Sequence, residues 1–362
     1  MSDKLKRIQN PALKNKLFTV GIVAAFYLVS ILLSSAGMTS NKFRGLLVPV
    51  SVYVILAVSL NLTVGILGEL SLGHAGFMCV GAYVGSTASL LLQDTVANGY
   101  LRFPIALICG GIAAGIFGFL IGIPVLRLRG DYLAIVTLAF GEVIKTIVRN
   151  LYIAKDINGL HISLSPISEM GLDDATKQVI INGAQGITGT PNDSKLWVAA
   201  LLVLFTVVIV MNIVDSRAGR AFMSIRDNVV ASESLGVNVT KYKLMAFTVS
   251  AVFAGFAGVL YSHNLHTLDP GTFDYNLSIM ILVYVVLGGI GSIRGSIIAT
   301  ALLYALPEYL RFLRDYRMLI YAVILIAVMI LGNNKRCRDK LQDIRDRMLS
   351  FLPKKKKKGE KA

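Results

Sequence analysis

Long stretches without a single Asp, Glu, Lys or Arg dominate this chain and leave it few folds to choose from. Residues 18–41, 45–68, 70–93, 103–126, 196–214, 275–293 and 318–334 are all free of formal charge. About 20 apolar residues in a helix cross the roughly 30 Å hydrocarbon core of a bilayer. There every backbone N–H and C=O must be satisfied within the protein, which leaves helices and closed barrels as spanning forms. The charged fraction of 16% and the mean hydropathy of +0.67 agree, since soluble domains carry about a quarter charged residues. The expected fold class is an all-α polytopic membrane protein of about ten transmembrane helices. The spans fall near 17–36, 46–66, 70–92, 104–126, 132–149, 197–214, 244–263, 277–290, 296–312 and 317–331. Ser34-Ser35-Ala36 offers a cleavage-like site, but the apolar run before it is longer than the roughly 7–15 residues of a signal-peptide core. It reads as an uncleaved first span.

The net charge of +15 does not point to nucleic acid, because of where the charge lies. Twelve basic residues follow Gly332, including Lys354 to Lys358, and five precede Leu17: Lys4, Lys6, Arg7, Lys14 and Lys16. Basic ends on a membrane protein favour the cytoplasmic side and attract anionic lipid. The Lys354–Lys358 run also reads as a plain solvated tail. With both termini in the cytoplasm, inner segments hold 25 Lys and Arg and outer segments hold 9. The chain then divides into a basic N-terminus at 1–16, a transmembrane domain at 17–331 and a basic tail at 332–362. Two long connections stand out, an outer one at 150–196 and an inner one at 215–243. The middle of the inner one, Arg220 to Gly236, reads as a short amphipathic helix with Phe222, Ile225 and Val229 on one face. It suits either a partner protein or the membrane surface.

Asn61 to Met78 interrupts its apolar surroundings with Gly65, Gly68, Ser71, Gly73, His74 and Gly76. A plain span has no need of these residues. A broken helix at membrane depth is tolerated only against protein or beside a water-filled cavity, so the second and third spans are expected to form a broken-helix core. A lone His here reads as a hydrogen-bonded packing residue or as a participant in transport. The pairs Gly81/Gly85, Gly111/Gly115 and Gly118/Gly122 have the spacing of close helix contacts. Catalytic machinery is not expected. No G-x-x-x-x-G-K-[ST] loop occurs, and no His, Cys or carboxylate group has metal-ligand spacing. Cys79 and Cys109 lie in apolar runs and Cys337 in the tail.

Four blocks together resemble one family. Leu60-Asn61-Leu62, Gly65, Gly68, Ser71-Leu72-Gly73-His74-Ala75-Gly76-Phe77 and Gly81-Ala82-Tyr83 are similar to the signature of permeases of branched-chain amino acid ABC transporters, of LivM type. Asn182 to Pro191 resembles the outer-loop segment of that family. Arg226 to Asn238 resembles its cytoplasmic coupling segment, and Gly288 to Gly295 its late Gly-rich turn. The resemblance covers roughly residues 45–331. Residues 155–181 look like an insertion, Thr190 stands where an apolar residue is more usual, and the Lys-rich tail is no family motif.

The resemblance implies a non-catalytic permease subunit in a bacterial plasma (inner) membrane, importing leucine, isoleucine and valine. ATP would be bound by partners and no cofactor by this chain. The implied partners are a second permease in a heterodimer, two ATPase subunits and an extracytoplasmic substrate-binding protein. Asn61, Gly65, Gly68, Ser71, Gly73, His74 and Gly76 would belong to the translocation pathway. Arg226, Asp227, Asn228, Glu233, Leu235 and Gly236 would serve ATPase coupling. Gly186, Thr188 and Gly189 would face the binding protein. Related systems carry other amino acids or urea. An ion-coupled secondary transporter is the rival class; it needs an intramembrane carboxylate, for which Glu69 and Glu142 are the candidates.

Overall fold

The structure, a computed structural model, describes residues 11–36, 40–93, 98–128, 130–156, 159–166, 178–311 and 316–333. The Lys354–Lys358 run, the basic residues before Pro11 and much of the 155–181 insertion lie outside the described residues. The chain divides into two compact units, one through Ala305 and one from Leu306.

Helices occupy every expected span. In chain order they are α1 (Pro11–Ser35), α2 (Asn41–Asn61), α3 (His74–Leu91), α4 (Gly99–Val125), α5 (Asp131–Arg149) and α6 (Leu196–Asp215). Then come α7 (Arg217–Asp227), α8 (Val229–Ser234), α9 (Val239–Ser262), α10 (Tyr275–Gly288), α11 (Ile293–Tyr309) and α12 (Arg317–Asn333). Among the described residues, six helical stretches are long and apolar enough to cross a membrane: Lys16–Ser35, Phe43–Leu67, Gly99–Val125, Leu196–Asp215, Val239–Ser262 and Pro270–Gly288. The second unit holds the end of α11, where Arg311 pairs with Glu308 at 3.1 Å, and α12.

In the first unit α2 is central. It packs on α6, α9 and α10, and 89% of its apolar window is buried. A helix that is apolar all round belongs inside a bundle. Around it α3, α4 and α9 form the tightest contact, built on small residues. Gly85 leaves 2.6 Å between a would-be Cβ and Val259 Cγ2, Gly115 leaves 2.7 Å to Val252 Cγ2, and Gly122 leaves 2.6 Å to Leu244 Cδ1. The facing stripe on α9 includes Gly255 and Gly258, which the small-residue pairs read from sequence did not include.

Ion pairs join helix ends within the first unit. Lys16 at the start of α1 pairs with Asp215 at the end of α6, at 2.8 Å. Arg102 at the start of α4 pairs with Asp193 just before α6, at 2.7 Å, with both side chains largely buried.

Three sequence expectations change. The third span begins at His74 rather than residue 70, because residues 68–73 are not helical. The 150–196 connection is not irregular throughout. It carries β1 (Tyr152–Asp156), β2 (Gly159–Ser163) and β3 (Gln178–Asn182) in an antiparallel sheet with β1 in the middle, and β4 (Ile187–Thr188) pairs with β5 (Thr267–Leu268). An all-α description therefore omits a small β element, whose β-branched residues (Ile153, Ile162, Val179) sit well on a pleated surface. Finally, the single amphipathic helix expected over Arg220–Gly236 is two helices, α7 and α8. Asn228 is extended at φ −158° and uses its side chain to cap Ala231 N at 3.0 Å, which starts a new helix.

Candidate functional site: a broken span, a two-helix connection and a glycine turn

The second span does not end as an α-helix. After Asn61 the backbone widens into a π-turn over Leu62–Leu67, and Gly68 takes a left-handed conformation at φ +82°. Such turns leave carbonyls without helical partners. Thr63 O accepts from Gly68 N and also from Glu69 N, the latter at 3.0 Å, and Gly65 O accepts from Arg226 Nη1 at 3.1 Å. Asn61 braces the same end. Its Oδ1 accepts from Gly291 N and its Nδ2 donates to Ser296 Oγ, both at 2.9 Å. Glu69 forms an ion pair with Lys243 at the start of α9. Three segments distant in sequence thus meet: the break at 61–69, α7 through Arg226, and the turn at Gly289–Gly291.

The other half of the break is closed by polar groups from several helices. Leu72 N donates to Thr137 Oγ1 at 3.0 Å and Ala75 N donates to Ser278 Oγ at 3.1 Å. The second bond satisfies a backbone donor that a helix start leaves open, and the first holds the non-helical segment before it. His74, 2% exposed, has Nε2 2.8 Å from Ser59 Oγ and its ring edge-on to Phe77. Gly73 and Gly76 allow close approach: a Cβ on Gly73 would stand 2.7 Å from Thr137 O, and one on Gly76 2.8 Å from Gly141 Cα. The Ser71 hydroxyl is buried with no hydrogen-bond partner among the described residues. Asn61, Gly65, Ser71, Gly73, His74 and Gly76 are all buried, while Gly68 is exposed. Two apolar crevices, about 700 Å³ between α4 and α6 and about 440 Å³ beside α3 and α5, are lined by other residues.

The packing reading of His74 gains from this geometry. His74→Ala removes one partner of Ser59 Oγ, which keeps its bond to Leu56 O, and opens space in a packed core. Loss of one buried hydrogen bond costs roughly 0.5–1.5 kcal/mol, and the cavity adds to it. The thermal midpoint in detergent is expected to fall together with uptake. Loss of uptake at an unchanged midpoint would instead assign His74 a direct part in transport.

In the 215–243 connection, Phe222 and Ile225 are buried against the bundle, Phe222 edge-on to Tyr242 at 6.1 Å. The amphipathic face is therefore covered by the chain itself. What projects is α8 and its end: Val230 is 71% and Leu235 81% exposed, with Glu233 exposed beside them. Ser224 Oγ and Ser232 Oγ, 2.6 Å apart, hold the two helices together. Gly236 ends α8 at φ +82°; Val237 N donates to Ser232 O at 3.0 Å and Gly236 N to Glu233 O at 2.9 Å. This is the left-handed helix stop in which glycine is favoured.

At the opposite end, Gly186 is buried at φ +72° under Leu268 O, and only Thr188 and Gly189 of the three outer-loop candidates are exposed. Thr190, unusual in sequence, is buried and donates to Leu265 O.

Sequence reasoning missed the polar residues that hold the break: Ser59, Thr137, Ser278, Ser296 and Lys243. Their one signal was a polar side chain inside or beside an apolar run.

Comparison with known proteins identifies the family. The chain is 34% identical to the high-affinity branched-chain amino acid transport system permease protein LivM of Salmonella typhimurium, over 90% of this chain and 76% of the relative. It is 34% identical to LivM of Escherichia coli over the same shares. It is 22% identical to LivH, named as a permease protein of the same kind of system in Escherichia coli, over 70% of this chain and 80% of the relative. No solved structure matches the chain. Residues 43–329 match the family described as branched-chain amino acid transport system / permease component, and with its multi-pass helical fold the chain belongs to that family.

Proposed function

We propose that this chain is the permease subunit of an ATP-driven importer of leucine, isoleucine and valine in a bacterial plasma (inner) membrane. All ten long helices lie across the bilayer, with both termini and the 215–243 connection in the cytoplasm and residues 150–196 outside. A second permease completes the transmembrane unit, two ATPase subunits bind and hydrolyse ATP, and a substrate-binding protein delivers cargo from outside. The observation that carries this reading is the form of the 215–243 connection. Its amphipathic face is already packed, and a short braced tip with Val230, Glu233 and Leu235 projects. Packed apolar residues gain nothing from lipid headgroups, whereas an exposed apolar tip gains by entering a protein cleft. A rigid element of this kind transmits rigid-body movement.

The ion-coupled alternative needs a carboxylate able to take up its ion. Glu69 is paired with Lys243. Glu142 is paired with Lys145 and also accepts from Tyr275 N at 3.0 Å. Both candidates are thus occupied in bracing helix ends.

The test is uptake of labelled leucine into proteoliposomes holding the permease pair and its ATPases, with binding protein and ATP supplied. Uptake is expected to require ATP and to be competed by isoleucine and valine. Uptake driven by an ion gradient without ATP would remove the reading. In the same system Leu235→Asp, Glu233→Lys and Gly236→Val are expected to lose co-purifying ATPase and most uptake, while reaching the membrane normally. For Gly236→Val, the left-handed conformation alone costs a non-glycine residue about 1–2 kcal/mol. Wild-type ATPase recovery in all three would leave α8 without a docking role.

A further inference from the structure

Arg226 belongs by sequence to the segment proposed to meet the ATPase, and its side chain, 39% exposed, sends one arm into the bundle. Its Nε and Nη2 hold Oδ1 of the adjacent Asp227 at 3.3 and 3.2 Å, which fixes the guanidinium plane. The remaining arm, Nη1, reaches Gly65 O at 3.1 Å. That carbonyl stands at the C-terminal end of the broken second span, where unpaired carbonyls concentrate negative charge and favour a cation. The approach needs the glycine at 68, while Gly291 lies at ordinary contact distance on the other side. A Cβ on Gly68 would lie 2.5 Å from Arg226 Cγ, and one on Gly291 3.8 Å from Nη1. Gly291 is in turn bonded to Asn61.

We propose that Arg226 is a positioning residue that carries movement of α7 and α8 to the broken end of α2, through the Gly65 carbonyl and the glycine turn beside it. The assignment rests on the reading of α8 as the part that meets the ATPase. Its consequence is that Arg226 transmits the movement without itself touching the ATPase. Arginine is needed because one planar fork serves Asp227 and Gly65 together; a lysine ammonium has no such geometry.

The experiment uses the full complex in proteoliposomes with Arg226→Met and Arg226→Lys. Two quantities are read: ATPase recovered with the permease, and amino acid transported per ATP hydrolysed. Arg226→Met is expected to recover ATPase at the wild-type ratio and to lower transport per ATP at least about tenfold, the scale of one charge-assisted hydrogen bond. Arg226→Lys should fall between, since it can donate to Gly65 O but releases Asp227. A merely structural role would lower assembly and transport together and leave their ratio unchanged. That outcome overturns the proposal, as does loss of ATPase from either variant, which would place Arg226 on the docking surface. Should Arg226→Met fail to accumulate, Arg226→Lys decides by the same two readings. Leu235→Asp tests the underlying reading separately: ATPase retained there refutes docking through α8 whatever the Arg226 variants show.

Discussion

Lys243→Met is expected to destabilise the protein by about 3–5 kcal/mol, because it strands a buried carboxylate. Lys243 and Glu69 pair with side chains only 7% and 15% exposed, so water screens little of the loss. Glu69 lies directly after the left-handed Gly68, and Lys243 lies in the first turn of α9. The pair therefore fastens the irregular 68–73 segment to a helix that packs on α2, α3 and α4. Single variants should accumulate poorly in the membrane and melt early in detergent. The double variant Lys243→Met/Glu69→Leu should recover much of the loss, since replacing both members of a buried pair by apolar groups is often neutral or stabilising. Lys243→Met melting like the wild type would mean the pair contributes nothing. A double variant worse than either single would mean that its directional bonding, not charge balance, sets the geometry.

The helices were legible in sequence because long, uniform apolar runs favour them: each expected span holds a helix, and six helical stretches are long and apolar enough to cross a membrane. The family blocks were legible for a different reason: each contains glycines at close approaches or left-handed turns. Gly236, at the end of the expected Arg220–Gly236 helix, has φ +82°. The resemblance was drawn over roughly 45–331, and the family match covers 43–329. What sequence did not reveal is which residues meet. Asn61 and Ser296 are 235 positions apart, and Arg226 and Gly65 are 161 apart. Periodicity within one helix carries no information about such pairs. The sequence marks Arg226 as charged and on a connection; only the fold shows its Nη1 at Gly65 O. The break at Asn228 escaped because the periodicity of Phe222, Ile225 and Val229 continues across it, while the capping bond of Asn228 depends on a backbone change that hydrophobic spacing does not register. The β-sheet escaped because its strands are five residues each, and the third lies beyond a stretch of mixed composition.

A single methyl group at Gly65 should abolish transport. A Cβ there would overlap Asn61 Oδ1 and stand 2.8 Å from Gly291 Cα. Backbone cannot retreat far in a packed core, so the added carbon must displace the Asn61 side chain. Overpacking costs about 1–3 kcal/mol, and each buried hydrogen-bonding group left unpaired adds roughly 1–3 kcal/mol. Gly291 N and Ser296 Oγ would both lose Asn61 as a partner. The three segments that meet at this point would then no longer be held in register. Gly45→Ala is the matched control, since it lies on the same helix with nothing within 4 Å of its Cβ position. It should transport as the wild type does and melt no earlier, alanine being the better helix former. Adding Asn61→Ala to Gly65→Ala makes room for the methyl group but cannot rebuild the bonds to Gly291 and Ser296. If steric overlap alone were the fault, the pair would regain transport. If the Asn61 clamp is what the glycine protects, the pair remains inactive while its thermal midpoint partly returns. Wild-type uptake by Gly65→Ala would show that the end of the second span moves freely of the glycine turn.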